Sequence, residues 1–262
     1  MPTWDPAQYE QFADQRLRPA RELLARVPLE RPARVVDLGC GTGNVTRLLR
    51  ERFPDADVLG LDSSAEMLEK ARATAPGVRW SQADIDSWAP EEAPDLIYSN
   101  AALHWLAGHE ALLPRLFGAL APGGCLAVQM PLSWSLPSHV LMREVLASGG
   151  PCGRSLGTAS LRERAAQRPV AEPATYYDLV ARAAAAVDVW TTEYLQQLEG
   201  PDPVLEWVRG TGLRPILEGL EGAERDRFLE VYGARLAEAY PARPDGRTLY
   251  PFRRLFLIGL RP

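Results

Sequence analysis

The chain has 262 residues, 46% of them hydrophobic and 24% charged, with a formal net charge of −5. That length suits one α/β domain with additions, and the acidic balance argues against nucleic acid as a partner. All but one of the 29 basic residues are Arg, Lys70 being the exception, and Arg binds carboxylates in a fork that Lys cannot form. Cys40, Cys125 and Cys152 form no CxxC pair, which speaks for a reducing compartment and against a disulfide framework. No apolar run reaches membrane-spanning length and the N-terminus lacks a basic-then-apolar signal pattern. A cytoplasmic protein with no membrane partner is expected.

Residues 1–31 precede the first strand. Trp4-Asp5-Pro6 reads as a helix start, with Asp5 as N-cap and Pro6 in the first turn. Tyr9, Phe12 and Leu17 line one face, and Pro19 marks a break or a new start before a second helix over 20–26. Val35-Val36-Asp37-Leu38-Gly39-Cys40-Gly41-Thr42-Gly43-Asn44 then runs from an apolar strand through a glycine turn into a helix. Glycine tolerates φ > 0 and lets a ligand lie against the backbone, and a helix N-terminus offers free N–H groups. The dinucleotide fingerprint needs Gly or Ala at its third, more distant position. Here that position is Asn44 or Thr46, so the match fails. Asp37 stands two residues before the first glycine, where it would repel a pyrophosphate but suit a cationic amino acid moiety. Asp62 ends the next strand, where a carboxylate can accept hydrogen bonds from ribose hydroxyls. Ser63-Ser64 cap a helix over 66–72, and residues 78–84 form a third strand. The fourth strand, 95–100, ends at Asn100. A helix over 111–120 stops at Pro122-Gly123-Gly124, and 125–130 is the fifth strand. His104, His109 and His139 are the three His; His109 looks exposed, and no pair has metal-ligand spacing.

Asp37, Gly39, Gly41, Gly43, Asp62 and Ala83-Asp84-Ile85 together resemble the S-adenosylmethionine site of the Rossmann-like class I methyltransferases. The resemblance implies an α/β fold with a seven-stranded, mostly parallel sheet whose last strand is antiparallel, and S-adenosylmethionine as cofactor. It also implies roles. Met67 touches adenine or else packs in the core. Asp84 accepts from the adenine amino group or else caps a turn, and Ile85 offers its backbone N–H to the ring. Ser63 and Asn100 border the cofactor. N-terminal helices in this superfamily close over the cofactor, which makes Tyr9 and Arg16 lid candidates; the alternative for each is ordinary surface packing.

Residues 132–175 differ in character. A loop with Trp134 leads into a helix with His139 and Arg143. From Ser148 to Pro173 Gly, Ser, Arg and Pro dominate and no periodicity survives, so this stretch is expected to be irregular and to hang over the site. A helix resumes at Tyr176-Tyr177, residues 187–194 alternate as a sixth strand, and helices follow over 203–209, 213–217 and 223–240. Residues 253–260 are the seventh strand. With no internal repeat, the chain reads as one domain over 1–262. It comprises an N-terminal lid over 1–31, a cofactor-binding core over 32–131, cap helices with the sixth strand over 132–250, and a final strand over 251–262.

From end to end the chain resembles the trans-aconitate 2-methyltransferase family. The carrying stretches are Trp4-Asp5-Pro6 with Tyr9, Arg16 and Arg18; Asp37 to Gly41; Asp62-Ser63-Ser64; Asn100 to Leu106; Gln129-Met130-Pro131; His139 to Glu144; Tyr176-Tyr177-Asp178; and Thr211 to Pro215. Two departures are Thr42, where some members have Pro, and the composition of 148–173. The resemblance implies methyl transfer to a carboxylate of a small polycarboxylate, giving a monomethyl ester. A carboxylate is already ionised at neutral pH, with a reference pKa of about 4, so no side chain is assigned as catalytic base. Near-attack positioning can supply roughly 7–11 kcal/mol of such a barrier. The remaining carboxylates call for Arg forks. Arg143 and Arg214 lead the candidates, ahead of Arg254, Arg16 and Arg18, each weighed against a solvated surface charge. His104, Trp105, Gln129, Trp134, Tyr176 and Tyr177 complete the expected substrate set.

Other readings remain. A hydroxyl or amine acceptor would need a base, which would draw in His104 or His139. A non-catalytic S-adenosylmethionine-binding protein would keep the glycines and Asp62 without an Arg cluster. A nicotinamide dehydrogenase fails on glycine spacing. A nucleic-acid methyltransferase fails on charge and on Ser99-Asn100-Ala101-Ala102, where an Asn/Asp-Pro-Pro-Tyr/Phe motif would stand.

Overall fold

The computed structural model describes residues 13–210 and 212–262. Its strands are β1 (Arg34–Leu38), β2 (Asp57–Asp62), β3 (Arg79–Gln82), β4 (Leu96–Asn100), β5 (Cys125–Pro131), β6 (Ala186–Leu198) and β7 (Thr248–Leu260). They form one sheet in the order β3-β2-β1-β4-β5-β7-β6. β3, β2, β1, β4 and β5 are parallel neighbours, and β7 runs antiparallel to β5. The seven-stranded, mostly parallel sheet with an antiparallel last strand is thus present. The central strands are nearly continuous apolar runs because helices cover both faces of a parallel sheet. β1, β4 and β5 are buried along almost their whole length, whereas β3, at the edge, is at most half-buried.

The helices are α1 (Ala13–Ala25), α2 (Asn44–Arg52), α3 (Ala65–Thr74), α4 (His109–Gly118), α5 (Pro137–Ser148), α6 (Ala159–Ala166), α7 (Pro173–Ala181), α8 (Pro203–Arg209), α9 (Arg214–Glu218) and α10 (Gly222–Ala239). Two expectations are corrected. Pro19 does not break the first helix: α1 runs through it. A Pro inside a helix forfeits one backbone hydrogen bond, but Ala20 and Leu23 just after it are buried, and the Tyr98 hydroxyl donates to the Ala20 carbonyl at 2.6 Å. The stretch after Ser148 is not wholly irregular either. Thr158 caps α6 by accepting from the Leu161 N–H at 3.1 Å, and Leu161 is buried against Gly157 and Gly219. Eight residues with one buried Leu are too short a pattern to register as periodicity.

The chain divides into two compact units. The first comprises Asp14–Pro131, Pro169–Thr192 and Arg254–Pro262; it holds β1–β5, α1–α4, α7 and the adjoining parts of β6 and β7. In it α4 packs on α7. The second unit includes Leu132–Arg168 and Glu193–Arg253. Its core is aromatic: Trp207, Phe228, Tyr232, Tyr240, Tyr250 and Phe252 cluster with the apolar face of α5, along which α10 lies. Ser138, at the start of α5, gathers the polar edges of these rings. Its N–H donates to the Tyr240 hydroxyl at 3.0 Å, its carbonyl accepts from Tyr232 at 2.9 Å, and its hydroxyl pairs with Tyr250 at 3.0 Å. α7 and the first part of β6, expected among the cap segments, lie in the sheet unit, since Pro169–Thr192 belongs there. No described helix is long and apolar enough to cross a membrane.

Candidate functional site

At the carboxyl end of β1 the glycine turn is held by the neighbouring strand. The Gly39 and Cys40 N–H groups both donate to the Leu61 carbonyl, at 2.8 and 3.0 Å. Gly39, Gly41 and Gly43 have φ of 72°, 54° and 80°, the left-handed region that favours glycine. Their surroundings differ. A Cβ on Gly39 would lie 2.2 Å from the Ala102 Cβ, and one on Gly43 would lie 2.8 Å from the Trp80 ring, whereas one on Gly41 would meet nothing within 4 Å. Gly39 and Gly43 are therefore tightly packed, whereas a side chain at Gly41 would enter open space.

Asp62 ties this turn to the next one. One carboxylate oxygen accepts from the Gly41 N–H and the other from the Ser64 N–H, both at 2.9 Å. Ser64 in turn caps α3, accepting from the Met67 N–H at 3.3 Å, while the Ser63 carbonyl accepts from the Gln82 side chain. Met67 is half-buried on the first turn of that helix. Asp37 is buried beneath the turn and accepts from the Thr46 hydroxyl at 2.6 Å. Burial pushes its pKa up to about 7; the Thr46 hydrogen bond opposes this and the Asp62 charge adds to it. Such a carboxyl is only partly ionised at neutral pH, and a nearby cation would favour its charged form. Asp84 is exposed and accepts the Asp86 N–H at 3.0 Å, a turn cap of the kind weighed against its adenine role. Ile85 is buried, its carbonyl accepting from the Arg115 guanidinium at 2.7 Å.

The ends of β4 and β5 carry a second group. Asn100 and Gln129 are register partners, and the Ala101 N–H donates to the Gln129 carbonyl at 2.9 Å. Ala101 has φ of 52°, a conformation costing a non-glycine residue about 1–3 kcal/mol and found mostly at functional sites. Gln129 is fully buried, and its carboxamide oxygen accepts from an Arg254 N–H at 3.5 Å. Among the described residues, buried Asn100 Oδ1, Gln129 Nε2 and His104 Nδ1 have no hydrogen-bond partner. Such atoms cost about 1–3 kcal/mol each when left unpaired, which makes the ends of β4 and β5 a candidate place for a polar ligand. His104 is half-buried with its Nδ1 sealed from solvent. Burial, then the nearby Arg254 and His109, pull its pKa down to about 3. Its ring lies 4.7 Å from that of Trp105, which is 61% exposed.

The other expected substrate residues are placed differently. His109 is buried, not exposed: it joins the Leu103 carbonyl at 2.9 Å and the Tyr176 hydroxyl at 2.7 Å. Tyr176 is therefore corrected to a packing residue, because it is fully buried and its oxygen also takes the Ala171 N–H at 3.0 Å. Tyr177, next to it on α7, is 49% exposed. In the second unit the Arg143 guanidinium lies 3.6 Å from the Trp134 ring centroid and donates to the Trp134 carbonyl at 3.0 Å. Arg214 is exposed and paired with Glu218 at 2.9 Å, one helical turn away, which is the surface-charge alternative weighed for it. Tyr9 lies outside the described residues. Arg16 falls on α1.

Sequence reasoning missed Trp80, Gly60, Thr46 and Ala102. A Cβ on Gly60 would lie 2.3 Å from the Trp80 ring, so this indole seals the glycine turn from the β3 side. The signal was available: a Gly inside the apolar run Val58-Leu59-Gly60-Leu61 indicates close approach by a neighbour.

Comparison with known proteins places these features in a family. Residues 35–124 match the methyltransferase domain family. A trans-aconitate 2-methyltransferase of Methylobacterium radiotolerans is 53% identical over 259 residues, covering 99% of this chain and 98% of that one. One from an Azoarcus species is 51% identical over 261 residues and covers all of both chains. Among solved structures, an S-adenosylmethionine-dependent methyltransferase from Mesorhizobium loti is similar in fold, with a TM-score of 0.50 and 24% identity over 92% of this chain and 96% of that one.

Proposed function

The chain belongs to the trans-aconitate 2-methyltransferase family and is an S-adenosylmethionine-dependent enzyme, and we propose that it methylates a carboxylate of trans-aconitate to give a monomethyl ester. The observation that carries this reading is the setting of His104, whose Nδ1 is buried and has no partner among the described residues, so that burial and the nearby Arg254 disfavour its protonated form. An imidazole whose conjugate acid has a pKa of about 3 is a poor proton acceptor at neutral pH. A hydroxyl or ammonium acceptor would have to be deprotonated during attack, whereas a carboxylate would not.

The residues present fit the cofactor. Gly41 offers open backbone, Asp62 stands at the end of β2 with both oxygens already oriented by backbone N–H groups, and Asp37 is a buried carboxyl that a nearby cation would ionise. The cofactor supplies an electrophilic methyl group on a cationic sulfur. In this reading Asp62 holds the ribose, Asp37 faces the amino acid end, Met67 and Ile85 flank the adenine, and Asn100 Oδ1 accepts from the cationic end. The role of the chain is to hold donor and acceptor in line and to exclude water, the positioning effect introduced above.

The test is a transfer assay with labelled S-adenosylmethionine against trans-aconitate, cis-aconitate, citrate, isocitrate, phenols and amines. Selective turnover of trans-aconitate, with release of label by mild base as expected of an ester, is the expected result. Turnover of a phenol or amine in preference to every tricarboxylate would sink the reading.

A further inference from the structure

Ala101 carries backbone strain that the reaction described above does not use. Its φ is 52°, in the left-handed region that is small and unfavourable for a residue with a Cβ. Cys152 and Asp202 also have positive φ, but both are exposed. Ala101 is half-buried and directly follows Asn100, the last residue of β4. That is the carboxyl end of a parallel strand, where ligands of open α/β sheets bind.

The bend is fixed from several sides. Before it, the buried Ser99 hydroxyl donates to the Leu38 carbonyl at 3.0 Å, tying β4 to the last residue of β1. At the bend, the Ala101 N–H donates to the Gln129 carbonyl of β5 at 2.9 Å. After it, Ala102 reaches the glycine turn so closely that its Cβ would lie 2.2 Å from a Cβ on Gly39. The Ala102 carbonyl then accepts from the Trp105 N–H at 3.1 Å. Strained backbone persists only where its surroundings over-determine it, and these contacts do so. Asn100 sits between them. Its Oδ1 is buried and has no partner among the described residues. A carboxamide oxygen only accepts, so it calls for a donor such as an ammonium group.

Glycine would close the same bend without strain, because it adopts positive φ freely. It would also let the bend move. The left-handed well of a residue with a Cβ spans only about 20° in φ and about 30° in ψ, whereas glycine ranges over much of the positive-φ side. Alanine therefore gives up stability and leaves the backbone beside Asn100 a single narrow conformation.

We propose that Ala101 is a positioning residue: its left-handed backbone, fixed between β1, β5 and the glycine turn, holds the Asn100 carboxamide oxygen in place for the ammonium group of S-adenosylmethionine. Ala101 touches no reacting atom and acts through Asn100. The proposal rests on the cofactor role given to Asn100 under the proposed function.

Ala101→Gly tests it. Relief of the strain should leave the Tm at or above that of the parent protein. Affinity for S-adenosylhomocysteine, which keeps the ammonium group, should fall about fivefold in calorimetric titration, a part of one hydrogen bond to a charged group. Asn100→Ala alone should weaken binding by about tenfold or more, the whole of that bond. In the Asn100→Ala background the glycine substitution should then change affinity less than about twofold, because its effect runs through Asn100. A packing defect would instead lower the Tm and persist in that background. Ala101→Gly at parent affinity, a lowered Tm, or a glycine effect undiminished beside Asn100→Ala overturns the proposal. The two readings fail differently. Parent-like binding by Asn100→Ala removes the cofactor role of Asn100 and the proposal with it. Weakened binding by Asn100→Ala beside parent-like binding by Ala101→Gly removes the positioning role alone.

Discussion

At the scale of single residues, Gly39 and Gly41 separate packing from binding. Both carry positive φ, so an Ala at either is strained by about 1–3 kcal/mol. Only Gly39→Ala also drives a methyl into Ala102, 2.2 Å away, and it should destabilise the protein well beyond that strain. Gly41→Ala should fold, with a Tm lowered by that strain alone, and lose cofactor affinity. The reverse pattern in thermal denaturation and cofactor titration would reassign the open backbone. Asp62→Ala releases the Gly41 and Ser64 N–H groups and should weaken S-adenosylmethionine binding at least about tenfold, the worth of one charge-assisted hydrogen bond; unchanged affinity in isothermal titration would remove Asp62 from the site. His104→Ala should keep substantial carboxylate methylation, because His104 is too weak a base to carry the reaction; total loss of turnover in a folded variant would give the ring an essential role.

At the scale of elements, α6 is the sharpest departure from the sequence reading. Its helical turn depends on the Thr158 cap and on one apolar anchor, Leu161, buried between Gly157 and Gly219. Leu161→Ala should cost about 2–5 kcal/mol in urea unfolding. A change under 0.5 kcal/mol would mean that the segment is not packed in solution. The junction of α4 and α7 makes the same point differently. In a linear reading His109 looks exposed and Tyr176 looks like a ligand donor. They are buried against each other, with Leu103 and Ala171 completing their hydrogen bonds. Neither sequence neighbourhood contains the other, so the pairing was not legible locally.

At the scale of the whole molecule, buried Asp37 and the partly buried His104 and His139 set a pH dependence. His104 and His139 have pKa values lowered to about 3 and about 4, chiefly by burial. Between pH 6.5 and about 4 they bind protons only in the unfolded chain, so stability falls as pH falls through that window. Asp37 works in the opposite sense. Its pKa is raised from 3.8 to about 7, so the folded chain holds its proton between those values and stability falls as pH rises. Below pH 6.5 two His outweigh one Asp, and above it Asp37 acts alone. The cofactor-free protein should therefore be most stable near pH 6.5, with these groups contributing about 1.4 kcal/mol per pH unit on the acid side. Urea unfolding from pH 4.5 to 8 checks this. Replacing both His by Gln should reverse the acid-side slope, and a slope left unchanged would show that other groups govern it.

The sequence by itself determined the cofactor end of this protein. The glycine turn, Asp37, Asp62, the Ser64 cap and the strand periodicities are local patterns, since a turn type, a cap and a buried strand each need only a few adjacent residues of the right kind. Only the tertiary structure decided which polar side chains meet at the carboxyl ends of β4 and β5. Among 28 Arg residues the sequence offers no ranking by burial, and it favoured Arg143 and Arg214. Arg254 stands beside Gln129 solely because β7 returns antiparallel next to β5, bringing together residues 125 positions apart. Among the described residues the Gln129 Nε2 donors have no partner, and whether a polar atom is satisfied is a property of the packed whole.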